Sequence, residues 1–107
     1  MEEAEVVRSL GALAHPVRLK VFRALVVVGQ EGLVPSRMAE GLALPAATLS
    51  FHLKELMHAQ LVTQERFGRT LVYRAAFDRM DGVLGYLTAH CCQGEEFLTP
   101  AAGAACN

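Results

Sequence analysis

The sequence predicts a mainly α-helical domain with one small β-hairpin, and three observations support this prediction. Apolar residues recur at helical spacing in several segments between residues 4 and 92. Residues 61–67 and 70–75 have the character of two strands around a turn at Gly68-Arg69. Two of the helices are separated only by a short turn, and the charged hairpin follows them. This order is typical of a winged helix-turn-helix domain.

The first two helices are predicted over residues 4–14 and 16–28. Acidic side chains near the chain start favour the positive end of the first helix dipole. Pro16 suits the first turn of the second helix, and Gly29 and Gly32 are expected to end it. The second helix is expected to be the core helix because it carries two apolar stripes. One stripe consists of Val17, Val21 and Leu25, and the other of Leu19, Phe22 and Val26.

A short helix over residues 36–41 and a turn over residues 43–45 are predicted to lead into a helix over residues 46–58. Three leucines of this helix are predicted to face inward, namely Leu49, Leu53 and Leu56. Its opposite side is predicted to carry Thr48, Ser50, Phe51, His52, Lys54 and Glu55.

The last helix is predicted over residues 79–92, with Asp78 as its N-cap. Its apolar stripe consists of Met80, Val83, Leu84, Leu87 and Cys91. Residues 93–107 contain glycine, proline and small side chains, so we expect a flexible tail there. The chain is thus predicted to form one folded domain over residues 1–92 and a tail over residues 93–107.

Bulk properties narrow the class of protein. A domain of 107 residues buries a modest core, so dimerisation is a reasonable expectation. Apolar residues make up 52% of the chain, too many for a disordered protein, and no apolar run reaches the roughly 18 residues of a membrane span. The acidic N-terminus lacks the order of a signal peptide, so we expect a cytoplasmic protein without membrane partners. Cysteines there act as ligands or redox groups more often than as structural disulfides.

Charge is unevenly distributed along the chain. The net charge is −1, yet residues 15–75 carry eight basic and four acidic side chains, whereas the two ends carry two and seven. A basic middle fits a nucleic-acid surface, although ordinary scatter of surface charge is an equally good explanation of these counts.

The helix over residues 46–58 offers groups that a major-groove helix uses. Thr48 and Ser50 can donate hydrogen bonds to phosphates or bases, and His52 and Lys54 can reach base edges or phosphates. A plain amphipathic helix would also carry such a polar face.

The hairpin adds the second half of a DNA-binding pattern. Arg66 and Arg69 flank the glycine turn, with Arg74 beyond, as a wing that contacts the DNA backbone or minor groove requires. Helix and hairpin together predict DNA binding.

Residues 9–75 resemble the ArsR/SmtB family of dimeric repressors that respond to metals and metalloids. The matching stretches are LGALAHPVRLKVFRAL, MAEGLALPAATLSFHLKELMHAQLV and ERFGRTLVYRA. The family's helix-start pattern, Leu-Ala-Asp-Pro-Thr-Arg-Leu, occurs here with His15 and Val17 in place of its Asp and Thr. The resemblance implies a homodimer in which the first and last helices form the interface between the two subunits. It also implies two recognition helices about one DNA turn apart on a palindromic operator.

The recognition helix departs in part from the family pattern Ser-x-Ser-Thr-Val-Ser-His-His-Leu. Its polar matches are Thr48, Ser50 and His52, whereas Pro45, Ala47 and Phe51 differ. The differences remove two hydroxyls and one imidazole, which predicts fewer direct base contacts and apolar contacts to thymine methyls in their place. The predicted DNA-contacting set is Thr48, Ser50, Phe51, His52, Lys54, Arg66 and Arg69.

The three cysteines of the chain, Cys91, Cys92 and Cys106, all lie near its C-terminus. Val34 and Ser36 occupy the positions of the Cys-x-Cys pair found in the family's arsenic sensors, so that site is absent. Asp81 and His90 are too far apart for the family's zinc pairing on the last helix. The cysteine cluster instead resembles family variants with a relocated three-thiol arsenite site.

The resemblance therefore implies a repressor that responds to trivalent arsenic, with no permanent cofactor. A trivalent arsenic centre takes three thiolates, and antimony or a methylated arsenic is a related inducer. Zinc prefers a fourth ligand, which His90 or a water could supply. Redox sensing, or sensing of cadmium, lead or zinc, on the same fold is the alternative. An enzyme is disfavoured because no cysteine lies at a phosphate-binding loop.

Overall fold

The computed structural model describes residues 1–94, which form five α-helices and one β-hairpin. The helices are α1 (Glu3–Leu13), α2 (Pro16–Val28), α3 (Pro35–Leu42), α4 (Ala46–His58) and α5 (Phe77–Thr88), and the strands are β1 (Val62–Phe67) and β2 (Thr70–Ala75). This order confirms the predicted winged helix-turn-helix fold. No helix in the described part of the chain is long and apolar enough to cross a membrane.

Local signals at both ends set the bounds of α2. Pro16 occupies the first turn, where its missing N–H is not needed. His15 caps the helix, since its Nδ1 accepts a hydrogen bond from the Val17 backbone N–H at 3.1 Å. At the other end Gly29 adopts a φ of 71° and leads into a 3₁₀ turn over Gly29–Glu31. The predicted bounds of α2 are therefore confirmed.

The hydrophobic core lies between α2, α3, α4 and the hairpin. Val21, Phe22 and Leu25 form the buried face of α2, which confirms it as the core helix. Leu19 is 47% exposed, so the second predicted stripe of α2 is buried only in part. The largest fully buried side chains are Val21, Leu25, Met38, Leu49, Leu53, Leu56 and Leu61.

The turn between α3 and α4 gives the two helices their mutual orientation. Ala43 adopts the left-handed conformation with a φ of 54°, which ends α3. The Leu44 backbone N–H then donates to the Ala39 carbonyl at 2.9 Å, and Pro45 starts α4 in extended geometry. The predicted turn over residues 43–45 is thus confirmed.

The hairpin is a regular antiparallel pair that projects from the body of the domain as the wing, residues 62–75. Its register runs from Val62 opposite Ala75 to Phe67 opposite Thr70. The turn contains Gly68 at a φ of 63°, as a two-residue hairpin requires.

An isolated β-bridge outside the hairpin helps to fasten the wing to the domain. Leu33 pairs with Tyr73, and their backbone groups exchange hydrogen bonds of 2.9 and 2.8 Å. Gly32 immediately precedes this pair at a φ of 71°. The sequence reasoning did not predict this contact.

The last helix begins and ends earlier than predicted. It spans Phe77–Thr88, and Ala76 precedes it without a side-chain cap, so the assignment of Asp78 as N-cap was wrong. Ala89 is extended, and His90 and Cys92 have φ values of 62° and 66°, which no α-helix can continue. The expectation that the apolar stripe of this helix continues to Cys91 was therefore also wrong.

Most of the predicted apolar stripe of α5 is uncovered in the single chain. Val83 is buried, but Leu84 and Leu87 are 53% and 56% exposed. Residues 95–107 of the predicted tail, including Cys106, lie outside the described residues.

One buried hydroxyl on α1 is expected to lower the stability of the domain. Ser9 on α1 is fully buried, and its Oγ has no hydrogen-bond partner among residues 1–94. We expect Ser9→Ala to raise the free energy of unfolding by about 1 kcal/mol, because it removes an unsatisfied polar group and favours the helix. Urea denaturation of the variant and the parent protein measures this difference. A loss of stability would mean that the hydroxyl is satisfied in solution.

Candidate DNA interface and cysteine segment

The exposed face of α4 carries most of the predicted DNA-contacting side chains. Ser50 and Lys54 are exposed, and Thr48 is half-buried. Phe51 is 53% exposed and stands out as a large apolar group on this polar face. An exposed ring beside hydroxyl and ammonium groups suits a surface that meets both apolar and polar atoms of DNA bases.

His52 lies on the buried face of α4, which corrects the expectation that it shares the solvent-facing side. It is 7% exposed because it follows Leu49 by three residues and precedes Leu56 by four, so it points with them toward the core. Its Nδ1 accepts a hydrogen bond of 3.1 Å from the Arg18 Nε–H. Its predicted role in contacting DNA stays a prediction.

The Arg18 contact also sets the charge state of His52. A guanidinium can only donate, so Nδ1 of His52 is unprotonated and the ring proton is on Nε2. Burial lowers the pKa of His52, the nearby His15 and Arg18 lower it further, and Glu55 opposes them. The imidazole is therefore neutral at pH 7.

Arg18 is a residue of this surface that the sequence reasoning missed. It lies on α2, and its guanidinium carbon is 5.8 Å from the centre of the exposed Phe51 ring. The available signal was its place as the arginine of the helix-start pattern, but that pattern says nothing about a contact 34 residues away.

The wing presents two of its three arginines to solvent. Arg66 and Arg69 are exposed at the tip, as predicted, together with Phe67, which is 54% exposed. Arg74 instead holds the base of the wing. Its Nη1 donates to Glu65 Oε1 at 2.7 Å, and its Nε donates to the Gln30 carbonyl at 2.7 Å.

The start of α3 adds polar groups beside the wing. Ser36 lines a shallow cleft together with Arg69 and Thr70. Ser36 and Arg37 are exposed in the first turn of α3, where the helix dipole favours an anion. The sequence reasoning considered Ser36 only as a missing metal ligand.

The cysteine segment, residues 89–92, follows α5 directly. Cys91 and Cys92 are exposed, and their Sγ atoms are 3.3 Å apart, close enough to bind one ion together. The Nδ1 of the neighbouring His90 lies 3.0 Å from Gln93 Oε1. Residues 1–94 contain no group of three or more potential ligands around one ion position. A three-sulfur site therefore depends on Cys106, outside the described residues.

Two polar contacts join α5 to α1. Arg79 forms an ion pair of 2.9 Å with Glu5 and also bonds Gln60, and the Tyr86 hydroxyl donates to Glu3 at 3.1 Å. Large apolar side chains remain exposed on these two helices, namely Val7, Leu10, Leu84 and Leu87. Such a patch is typical of a surface that a second molecule covers.

Comparison with known proteins gives the family. Residues 13–65 match a family model described as a helix-turn-helix domain. An ArsR-like transcriptional regulator from Rhodococcus sp. RHA1 has a similar structure, with a TM-score of 0.70 and 25% identity, over 78% of this chain and 76% of that chain. The nodulation protein NolR of Rhizobium meliloti is 32% identical over 88 residues, which are 81% of this chain and 70% of NolR.

The chain belongs to the ArsR family of transcriptional regulators. A further similar structure is the homodimeric winged helix-turn-helix DNA-binding domain of Mb0332 from Mycobacterium bovis, a possible ArsR-family regulator. It has a TM-score of 0.64 and 26% identity, over 81% of each chain. These relatives confirm a DNA-binding regulator rather than an enzyme. In this member of the ArsR family, α4 is thus the recognition helix of the helix-turn-helix.

Proposed function

We propose that the protein is a homodimeric repressor that leaves its operator when trivalent arsenic binds Cys91, Cys92 and Cys106. The observation that carries the proposal is the pair of cysteine sulfurs 3.3 Å apart directly after the last helix of an ArsR-family domain. Antimony, as the heavier congener, is expected to act in the same way. Release of DNA would then permit expression of resistance genes.

The set of three thiols favours a trivalent pyramidal centre over zinc, because zinc prefers a fourth ligand. The lone pair of trivalent arsenic compresses its bond angles below the tetrahedral value. Cys106 would complete the pyramid, and a methylated arsenic could bind the pair alone.

The exposed apolar patch of α1 and α5 is the proposed dimer face. Two chains that cover Leu84, Leu87, Val7 and Leu10 with one another would remove apolar surface from water at both copies. A two-fold dimer places two copies of α4 about one DNA turn apart, which suits a palindromic operator.

The position of the cysteine segment suggests how the ion acts on DNA binding. The segment follows α5, and α5 is tied to α1 by Arg79 and Tyr86. An ion that draws the cysteines together would therefore act on the dimer face and change the spacing of the two recognition helices. By linkage, DNA must weaken arsenic binding by the factor with which arsenic weakens DNA binding.

Counting ions and thiols tests the site directly. Reduced protein is titrated with arsenite, unbound arsenic is removed, and bound arsenic and reactive thiols are measured per subunit. We expect one arsenic per subunit and protection of three thiols. Protection of two thiols would exclude Cys106 from the site, and no bound arsenic would contradict the proposal.

Redox sensing is a second candidate, since the same close pair of sulfurs could be oxidised. A disulfide between adjacent cysteines is strained and easily reduced, as a reversible sensor requires. This candidate predicts that peroxide alone releases DNA and that reductant restores binding.

The wing is expected to contribute electrostatic, sequence-independent affinity. Arg69→Ala should weaken binding to every DNA duplex and reduce the slope of log affinity against log salt by about one per subunit, because one phosphate contact is lost. Fluorescence anisotropy between low and moderate salt measures both quantities. Arg23→Ala removes the same charge from the exposed side of α2 and serves as the control. An unchanged slope in Arg69→Ala would remove the wing tip from the interface.

A further inference from the structure

Arg18 is held beside the recognition helix by two side chains of that helix. Its Nε donates to Nδ1 of His52 at 3.1 Å, and its guanidinium carbon lies 5.8 Å from the centre of the Phe51 ring. The Phe51 and His52 rings are themselves in edge-on contact, with centres 5.2 Å apart. Arg18 is half-buried, so its stem is packed while part of the side chain reaches solvent.

A second histidine supports this arrangement from the start of α2. The His15 and His52 rings lie 4.7 Å apart. The Nδ1 of His15 accepts from the Val17 N–H, and the Nδ1 of His52 accepts from Arg18. The contact between Arg18 and His52 needs an unprotonated Nδ1, so it is formed only while the His52 ring can accept there.

The contacts occupy one edge of the guanidinium and leave another for a ligand. Only Nε of Arg18 is used by His52, and Nη1 and Nη2 form no hydrogen bond with residues 1–94. Paired N–H groups on a planar guanidinium match the oxygen spacing of a phosphate. The neighbouring Phe51 is on the exposed face of the helix that enters the major groove.

We propose that Arg18 of α2 binds a DNA phosphate beside the groove that α4 enters, and that His52 and Phe51 are positioning residues for its guanidinium. The inference rests on the proposed contact of α4 with DNA and does not depend on the arsenic site. His52 thereby acts through Arg18 and not through a base edge.

This arrangement predicts an unusual response to acid. Protonation of His52 places a hydrogen on Nδ1, so the Arg18 contact is lost and two positive charges face one another. The charged or titratable groups around His52 are Arg18 and His15 on the α2 side and Glu55 on its own helix. Acid should therefore weaken DNA binding, although protonated histidines ordinarily strengthen binding to phosphates. Because the pKa of His52 lies below 6.5, the midpoint of the loss should lie below that pH.

The test is DNA affinity measured by anisotropy at constant ionic strength between pH 8 and pH 5.5. Arg18→Gln is expected to weaken binding at least about 10-fold at pH 8 and to reduce the salt slope by about one per subunit. Arg18→Lys keeps the positive charge but lacks the paired N–H groups of a guanidinium. It should therefore restore the salt slope of the parent protein but only part of its affinity for DNA. Circular dichroism melts establish that each variant is folded.

His52→Asn separates positioning from titration. The asparagine oxygen can accept from Arg18 at the position of Nδ1 but does not titrate. The affinity at pH 8 should therefore lie between those of the parent protein and Arg18→Gln, and it should no longer fall in acid. A parental salt slope in Arg18→Gln, or acid sensitivity that persists in His52→Asn, would overturn the inference. If the parent protein itself bound no DNA at pH 8, that result would contradict both the proposed DNA interface on α4 and this inference. Loss of the response to arsenic alone would contradict neither the DNA interface on α4 nor the role of Arg18.

Discussion

Replacing Cys92 by serine is expected to abolish the release of DNA by arsenite without changing the affinity for DNA. Serine preserves the size of the side chain but replaces a soft sulfur by a hard oxygen, which is a poor ligand for a thiophilic ion. The arsenite concentration for half-release should rise at least about 100-fold, because the close pair of sulfurs no longer exists. DNA affinity should persist because the residue follows α5 and lies outside the helix-turn-helix and the wing. Anisotropy of the DNA complex under reducing conditions measures both quantities.

Matched variants make this result specific. Cys91→Ser should behave like Cys92→Ser, whereas Thr88→Ser, which keeps the hydroxyl that bonds the Leu84 carbonyl, should respond like the parent protein. Cys106→Ser should also lose the response to arsenite. A full response in Cys106→Ser would reduce the site to the vicinal pair, and a full response in Cys92→Ser would contradict the site altogether.

Gly32→Ala is expected to be the most destabilising single substitution near the wing. At a φ of 71° and a ψ of −177°, Gly32 occupies a region that is essentially restricted to glycine. A Cβ at this position would lie 2.7 Å from both the Tyr73 carbonyl oxygen and a Val72 methyl group. Backbone strain and the clash together should cost about 3–5 kcal/mol of unfolding free energy.

The control for this variant is Gly29→Ala. Gly29 has a φ of 71° as well, but a Cβ there meets no atom within 4 Å. Its substitution should therefore cost about 1–3 kcal/mol from backbone strain alone. Urea denaturation measures the free energy of unfolding of both variants. Equal losses of stability would show that a Cβ at position 32 does not clash with Tyr73. Gly32→Ala should also weaken DNA binding through the wing, because it disturbs the Leu33 and Tyr73 pair.

The sequence predicts most of the fold because local signals mark the ends of its elements. Pro16 and Gly29 bound α2, and Pro45 precedes α4, so both helices occupy the predicted residues. The pair of Leu33 and Tyr73 could not be predicted in this way, since it joins one isolated residue to a strand 40 positions later. No periodicity or turn signal accompanies such a contact.

The candidate DNA interface was predictable in its outline but not in its internal contacts. Sequence reasoning placed His52 outside because imidazole is polar, yet its spacing from Leu49 and Leu56 places it inside, where Arg18 satisfies it. An opposite error occurred at the end of α5. The apolar spacing continues to Cys91, but residues 89–94 are exposed and have no core to bury against.

The central claim is that trivalent arsenic, and not another thiol reagent, releases this regulator from DNA. The most direct measurement titrates the reduced protein on a DNA duplex selected from a random library and follows anisotropy. Separate titrations use arsenite, antimonite, zinc, cadmium and peroxide. Release by arsenite and antimonite at concentrations near that of the protein, with no release by peroxide under the same conditions, is the predicted result. Release only by zinc or cadmium, only by peroxide, or by none of them would contradict the claim.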